Sequence, residues 1–369
     1  MTRALLMVIL LLPATALAQD PIPSSSPSPD VSQHGLRITW PPLVDLNLAL
    51  VTEPRAARQA TAQAPAPERR RRRPSMVGYM EDSSIQSQLR FRFDTAFGND
   101  VPDRAEFFYA KCGCYQLDPP PFFDPEAPGP GPGVPIELDY QQFYAFGEYA
   151  FGDRFSTFAE LPFRALQPQG FLDFGEAYAP WPDHSGFADI KFGAKAALYT
   201  DEDRDVIVQL RASAPSGDAS MGTSTDSWSI EPTLLLHSNL ADRVGLEAQL
   251  GLWHPLGGSN GVEGRENFSG DVLFYGIGPS FDLLSADETR LSAVVELVGW
   301  RVLSGNQTGC GLDGSCVFDA KGVNIANLKL GARATMAGRN SIYAGYGWAL
   351  TDEHWYDKVF RVEYRLMFR

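Results

Sequence analysis

From Ser84 onward, apolar and polar residues alternate with a period of two, the repeat of a strand with one greasy and one wet face. In SIQSQLRFRFDTAF, Ile85, Leu89, Phe91, Phe93 and Phe97 share one face, and Gln86, Gln88, Arg90, Arg92 and Asp94 share the other. Phe155, Ala159, Leu161 and Phe163 alternate with Ser156, Glu160 and Arg164, and Ala188, Ile190, Phe192, Ala194, Ala196 and Leu198 with Asp189, Lys191 and Lys195. The same rhythm returns at Val206–Ser213, Trp228–Leu236, Val244–Leu250 and Leu328–Ala334, and it closes the chain at Phe360–Phe368. These runs reach the roughly 9–11 residues that a tilted strand needs to cross a bilayer, and their polar face is unusually charged. A soluble sandwich also alternates, so the connections carry the decision.

Short joints with an acidic-basic signature stand at 102–104, 152–154, 202–204 and 241–243, with a further one at Gly338–Arg339. Between them lie long joints rich in Gly, Pro and Ser, at 112–137, 166–184, 215–226, 255–268 and 304–321. Such sorting is expected of a transmembrane barrel with short periplasmic turns and long outer loops. The pattern predicts an all-β, antiparallel up-and-down barrel in the outer membrane of a Gram-negative-type bacterium. Taking Pro102–Arg104 as a periplasmic turn, with a short strand near Ser75–Met80, gives 14 strands. Taking 98–137 as one outer loop gives 12. The last segment, YDKVFRVEYRLMFR, resembles the closing strand of bacterial outer-membrane barrels, although Arg369 follows the aromatic Phe368. That resemblance implies outer-membrane lipid and the barrel-assembly machinery as partners.

The chain before the barrel differs in kind. Residues 1–18 have Arg3, an apolar run Ala4–Leu12 and Ala-Leu-Ala before Gln19, the layout of a secretory signal peptide. Residues 19–75 read as a disordered Pro/Ser/Ala-rich linker. Within it, Leu36–Leu50 reads as a docking strand, a pore plug or an apolar segment without fixed order, and Arg69–Arg73 is a run of five arginines. The barrel is placed at 76–369. The 34 Gly, 28 Pro and 12% aromatics favour strands and turns. A net charge of −14 argues against nucleic acid as a partner.

GFADIKFGAKAAL at Gly186–Leu198, PSGD at Pro215–Asp218, SWSIEPTLLL at Ser227–Leu236 and the following ADRVGLEAQLGL resemble the outer-membrane proteins named for the meta-cleavage pathway of phenol degradation. The resemblance runs over Glu137–Phe368. Those proteins are similar to barrels that carry fatty acids and aromatic hydrocarbons. It implies passive uptake of a small-molecule solute, with aromatic or hydrophobic solutes among the candidates. No substrate-contacting residue of that family carries over to a motif here.

Candidate pore-lining residues follow from the inward face. Arg90, Arg92, Lys329, Arg333, Arg361 and Arg365 come from the two ends of the barrel sequence, which meet on closure. Glu148, Glu160, Glu231, Glu247 and Glu296 come from the middle, interrupted by Lys191, Lys195 and Arg211. A basic wall opposite an acidic one orients polar solutes, or its charges pair across strands and fill the barrel. No catalytic residue, metal or cofactor is assigned. His254, or His354 with Asp352, is the nearest approach to a hydrolase site, and no G-x-S-x-G turn accompanies either. An adhesive barrel acting through its loops is the remaining alternative. Cys112, Cys114, Cys310 and Cys316 all fall in outer loops, where an oxidising compartment favours disulfides over zinc.

Overall fold

A computed structural model describes residues 75–104, 106–110, 135–171, 181–258, 268–286, 288–308 and 317–368. The signal peptide, the linker up to residue 74 and all four cysteines lie outside the described residues. The chain divides into two units, Met1–Ala66 and Pro67–Arg369, and every described strand belongs to the second.

Its wall begins with β1 (Gln88–Asn99), β2 (Pro135–Ala150) and β3 (Phe155–Phe171). It continues through β4 (His184–Phe187), β5 (Ile190–Thr200), β6 (Arg204–Ala214), β7 (Trp228–Ala241), β8 (Val244–Leu256), β9 (Val272–Ala286) and β10 (Thr289–Val302). A small outer hairpin of β11 (Asn306–Thr308) and β12 (Val317–Asp319) comes next, and β13 (Asn324–Met336), β14 (Asn340–Ala349) and β15 (Lys358–Met367) complete the wall. Every wall strand pairs antiparallel with its neighbours. β15 closes on β1 in a ladder that sets Gln88 opposite Met367 and Phe97 opposite Lys358. The sheet holds 13 strands, but β4 and β5 both pair with β3 and share one broken position, leaving 12 around the wall. The 14-strand expectation is therefore corrected to its 12-strand alternative.

Two misread segments explain the difference. Pro102–Arg104 is no periplasmic turn: it begins the long connection from β1 to β2. Ser75–Met80 forms no strand. Both segments are buried, and Ser75–Met80 makes its contacts with the inward side chains of the wall.

The polarity of the wall is inverted relative to a soluble protein. On β1, Leu89, Phe91 and Phe93 are exposed while Gln88, Arg90 and Asp94 are buried. On β15, Phe360, Val362 and Tyr364 are exposed while Arg361, Glu363 and Arg365 are buried. Exposed apolar side chains continue around the wall at Leu161, Phe192, Leu210, Leu236, Leu250, Ile277, Leu297, Leu330 and Ile342. A continuous apolar belt on a closed sheet has its partner in lipid, and closure leaves no backbone edge unpaired inside the bilayer. Tyr149, Phe151, Phe155 and Tyr199 stand exposed at the short-turn end, as in an interfacial aromatic girdle. The protein is an outer-membrane barrel.

The turns at 151–154, 201–203, 242–243 and 337–339 and the joint from β9 to β10 define one end, and the long connections define the other. On intact cells, Cys introduced at Ser220 should react with a membrane-impermeant maleimide above the parent's level. Cys introduced at Ala241, by the short turn after β7, should not. The opposite pattern would invert the orientation.

Candidate functional site: a gripped segment and an aromatic chamber

The inward faces of the strands bring charges together in the lumen. All eleven candidate lining residues point there, ten of them buried and Arg92 nearly so. The basic and acidic walls exist, and between them lies chain rather than open pore. Residues 75–87 enter from the β1 end, rise to mid-lumen near Tyr79 and return to β1, gripped on both sides.

Backbone carbonyls of this segment meet the basic wall. Arg333 donates to Met76 O at 3.1 Å and to Val77 O at 2.6 Å. Arg361 donates to Gly78 O at 2.8 Å, and Arg365 to Val77 O at 2.9 Å. Backbone amides meet the acidic wall. The Glu296 carboxylate accepts from Gly78 N, Tyr79 N and Met80 N at 3.2, 3.1 and 2.9 Å. Glu247 accepts from Met76 N at 2.8 Å and from the Ser75 and Ser83 hydroxyls at 2.6 and 3.0 Å, tying the two limbs together. Gln249 accepts from Glu81 N at 2.9 Å, and Lys195 donates to Asp82 O at 2.9 Å and Glu148 at 3.0 Å. Hydrogen bonds to charged groups are each worth roughly 1.5–3 kcal/mol, and their loss would strand buried polar groups.

Side chains lock the same arrangement. Glu81 pairs with Arg211 at 2.7 Å, Asp82 with Arg365 at 3.0 Å, and Arg361 holds Asp94 through two contacts of 2.6 Å. Arg90 and Arg92 lie 3.9 and 3.5 Å from Glu160. Close approach needs Gly78, where an added Cβ would lie 1.9 Å from the buried ring of Tyr343. The charge pattern was readable from the sequence, but the segment it holds was not. Ser75–Ser83 has neither a run of charge nor a clean period of two, and its grip comes from its backbone.

The outer mouth is narrowed by a second inserted piece, Val101–Ala110, whose residue 105 is not described. Phe107 and Phe108 start a chain of rings: Phe108 lies 4.7 Å from Tyr140, Phe107 4.1 Å from Trp355, and Trp355 4.3 Å from Trp300. Arg164 on β3 anchors this piece, donating to Phe107 O and also to Gly222 O in the 215–227 connection. Asp189, in the break between β4 and β5, organises that connection by accepting from the amides of Ser216, Gly217 and Thr225. Between the two inserted pieces lies a chamber of about 280 Å³, walled by Tyr79, Trp300, Trp355, Tyr356, Lys329 and Arg164 among others.

His254 and His354 each meet an oxygen of an acidic residue. His254 Nδ1 lies 2.6 Å from Asp271, and His354 Nδ1 lies 2.6 Å from the backbone oxygen of Asp352, not its carboxylate. Among the described residues, no Ser or Thr hydroxyl bonds either imidazole.

Asp103, buried in the outer insertion, has its carboxyl pushed up to about 7 by burial, partly opposed by the Thr308 hydroxyl. A carboxyl raised in the docked loop favours docking fully below its ordinary range and loses that contribution as pH rises through about 7. Neighbouring Glu106 is also raised by burial, against Arg104, and His354 lies 3.4 Å from Asp100. The outer insertion should therefore resist proteolysis better at pH 5 than at pH 8, read by limited digestion of the folded barrel. Asp103→Asn should be equally resistant at both pH values; an unchanged pH response in that variant would rule out Asp103 as its source.

The model of the family described as "Putative MetA-pathway of phenol degradation" matches residues 127–253, a shorter stretch than the resemblance seen in the sequence. No curated protein matches the chain. Among solved structures, the COG4313 outer membrane channel from Pseudomonas putida F1 is 14% identical, with 77% of this chain and 96% of that one covered and a TM-score of 0.48. A KdgM porin is 8% identical, with 76% and 99% covered and a TM-score of 0.36. LpxR from Salmonella typhimurium is 10% identical, with 76% and 100% covered and a TM-score of 0.38. The chain is an outer-membrane β-barrel that resembles the phenol-degradation meta-pathway family over residues 127–253.

Proposed function

We propose that this protein is a passive outer-membrane channel for small molecules, aromatic solutes among them. In this reading the segment at 75–87 and the outer insertion at 101–110 set its bore. The observation that carries it is the chamber of about 280 Å³ between the two insertions, inside a closed wall and lined by aromatic and charged side chains. A barrel serving only as a scaffold for adhesive loops has no need of a chamber with converging polar groups. Wall-to-wall ion pairs also disfavour a bare hydrocarbon as the main solute, since it would displace polar contacts without replacing them. The partners this reading implies are outer-membrane lipid, a small-molecule solute and, through the C-terminal strand, the barrel-assembly machinery.

Planar-bilayer conductance of the refolded full chain tests it. The parent should give small, discrete current steps. Gly78→Leu should give larger ones, because its side chain collides with Tyr343 and drives the segment off the wall while the strands stay intact. A retained heat-modifiable gel shift would report a folded barrel. Absence of steps from both folded proteins would refute the channel, and identical steps would mean that the segment does not set the bore.

A further inference from the structure

The chamber lining carries five cations and five carboxylates, but they do not all pair with one another. Arg361 is matched by Asp94, and Arg211 by Glu81 and Glu231. Glu106 is matched by Arg104, and the Asp189 carboxylate is occupied by backbone amides. Every carboxylate facing the chamber is thus committed. Three cations are not: Lys329, Arg164 and Lys191 have no carboxylate within 4 Å among the described residues.

Lys329 is the sharpest case. Its ammonium has three donors but a single protein acceptor among the described residues, the Tyr356 hydroxyl. Its other neighbours are ring faces, Tyr79 at 3.9 Å, Tyr356 at 4.9 Å and Trp300 at 5.8 Å. Ring faces steady a cation without using up its N–H groups. Trp355, which also lines the chamber, has a buried Nε1 with no protein partner among the described residues. Cations and a neutral donor without acceptors, set in a cage of rings, call for a ligand that brings an anionic acceptor and a flat apolar body.

We propose that the chamber is a selective subsite for single-ring aromatic carboxylates, the carboxylate on Lys329 and the ring among Tyr79, Trp300 and Trp355. This inference rests on the channel reading and names its solute class. It assigns an anion to a protein whose overall charge is −14, because three cations of the chamber have no carboxylate within 4 Å among the described residues. About 280 Å³ is ample for one substituted ring.

Isothermal titration of the refolded full chain in detergent, with benzoate, benzamide, acetate and benzylamine as probes, tests the class. Benzoate should bind saturably, and roughly tenfold or more tightly than its neutral isostere benzamide, the scale of one charge-assisted contact. Acetate, lacking the ring, and benzylamine, carrying the wrong charge, should bind weakly. Lys329→Met should abolish the preference for benzoate over benzamide, and Lys329→Arg should retain it. The exposed outer-rim variant Lys358→Gln should behave as the parent, and Arg164→Gln supplies a second chamber variant if Lys329→Met fails the heat-modifiability check for folding. Equal binding of benzoate and benzamide by a chain that still conducts in bilayers would overturn the carboxylate class and leave the channel standing. Loss of conductance in the folded parent would instead remove the channel reading beneath it.

Discussion

The structure depends on what happens to charge placed inside a closed barrel. Lipid forces the apolar side chains outward, so the alternate positions bring arginines, lysines and carboxylates into a lumen of low dielectric. Buried charge is costly unless it is paired and hydrogen-bonded. Twelve strands leave more room than side chains alone would fill. The protein answers with backbone: Glu296 accepts three successive amides of the segment at 75–87, while Arg333, Arg361 and Arg365 take its carbonyls. A strand-less segment is held as firmly as a strand would be, because the wall supplies the missing ladder.

Once the lumen is occupied in this way, the remaining space is defined from above and below. The inserted segment provides Tyr79 and Glu81 as a floor, and the outer insertion provides Phe107 and Phe108 as a ceiling. Arg164 joins the ceiling to the 215–227 connection, and Asp189 fixes that connection from the break between β4 and β5. The ring chain from Tyr140 to Trp300 runs across the chamber beside Lys329. The result is a small chamber between two inserted pieces rather than a wide aqueous pore.

Much of this was legible in the sequence, for a physical reason. A wall strand must show lipid every second residue, so Leu89, Phe91 and Phe93, or Phe360, Val362 and Tyr364, betray their direction at once. The sequence was weakest where that rule relaxes. β9 places Phe274, Gly276 and Gly278 inward, and glycines blur a period of two. The Asp-Arg pair at 103–104 mimics the true turns at 153–154 and 203–204, yet lies buried in the outer mouth. The inward charges could be named from the pattern, but their partners could not. Arg361 and Arg365 grip Gly78 and Val77 across some 280 residues of chain, contacts with no local signature.

Hydrogen exchange on the refolded, full-length barrel in detergent bears most directly on the central claim. If the lumen charges grip the segment, the amides of Met76, Gly78, Tyr79 and Met80 should be protected to a degree comparable with those of β8 and β10, which carry Glu247 and Glu296. Exchange of those four amides at the rate of an unstructured peptide, with the wall strands still protected, would contradict the account.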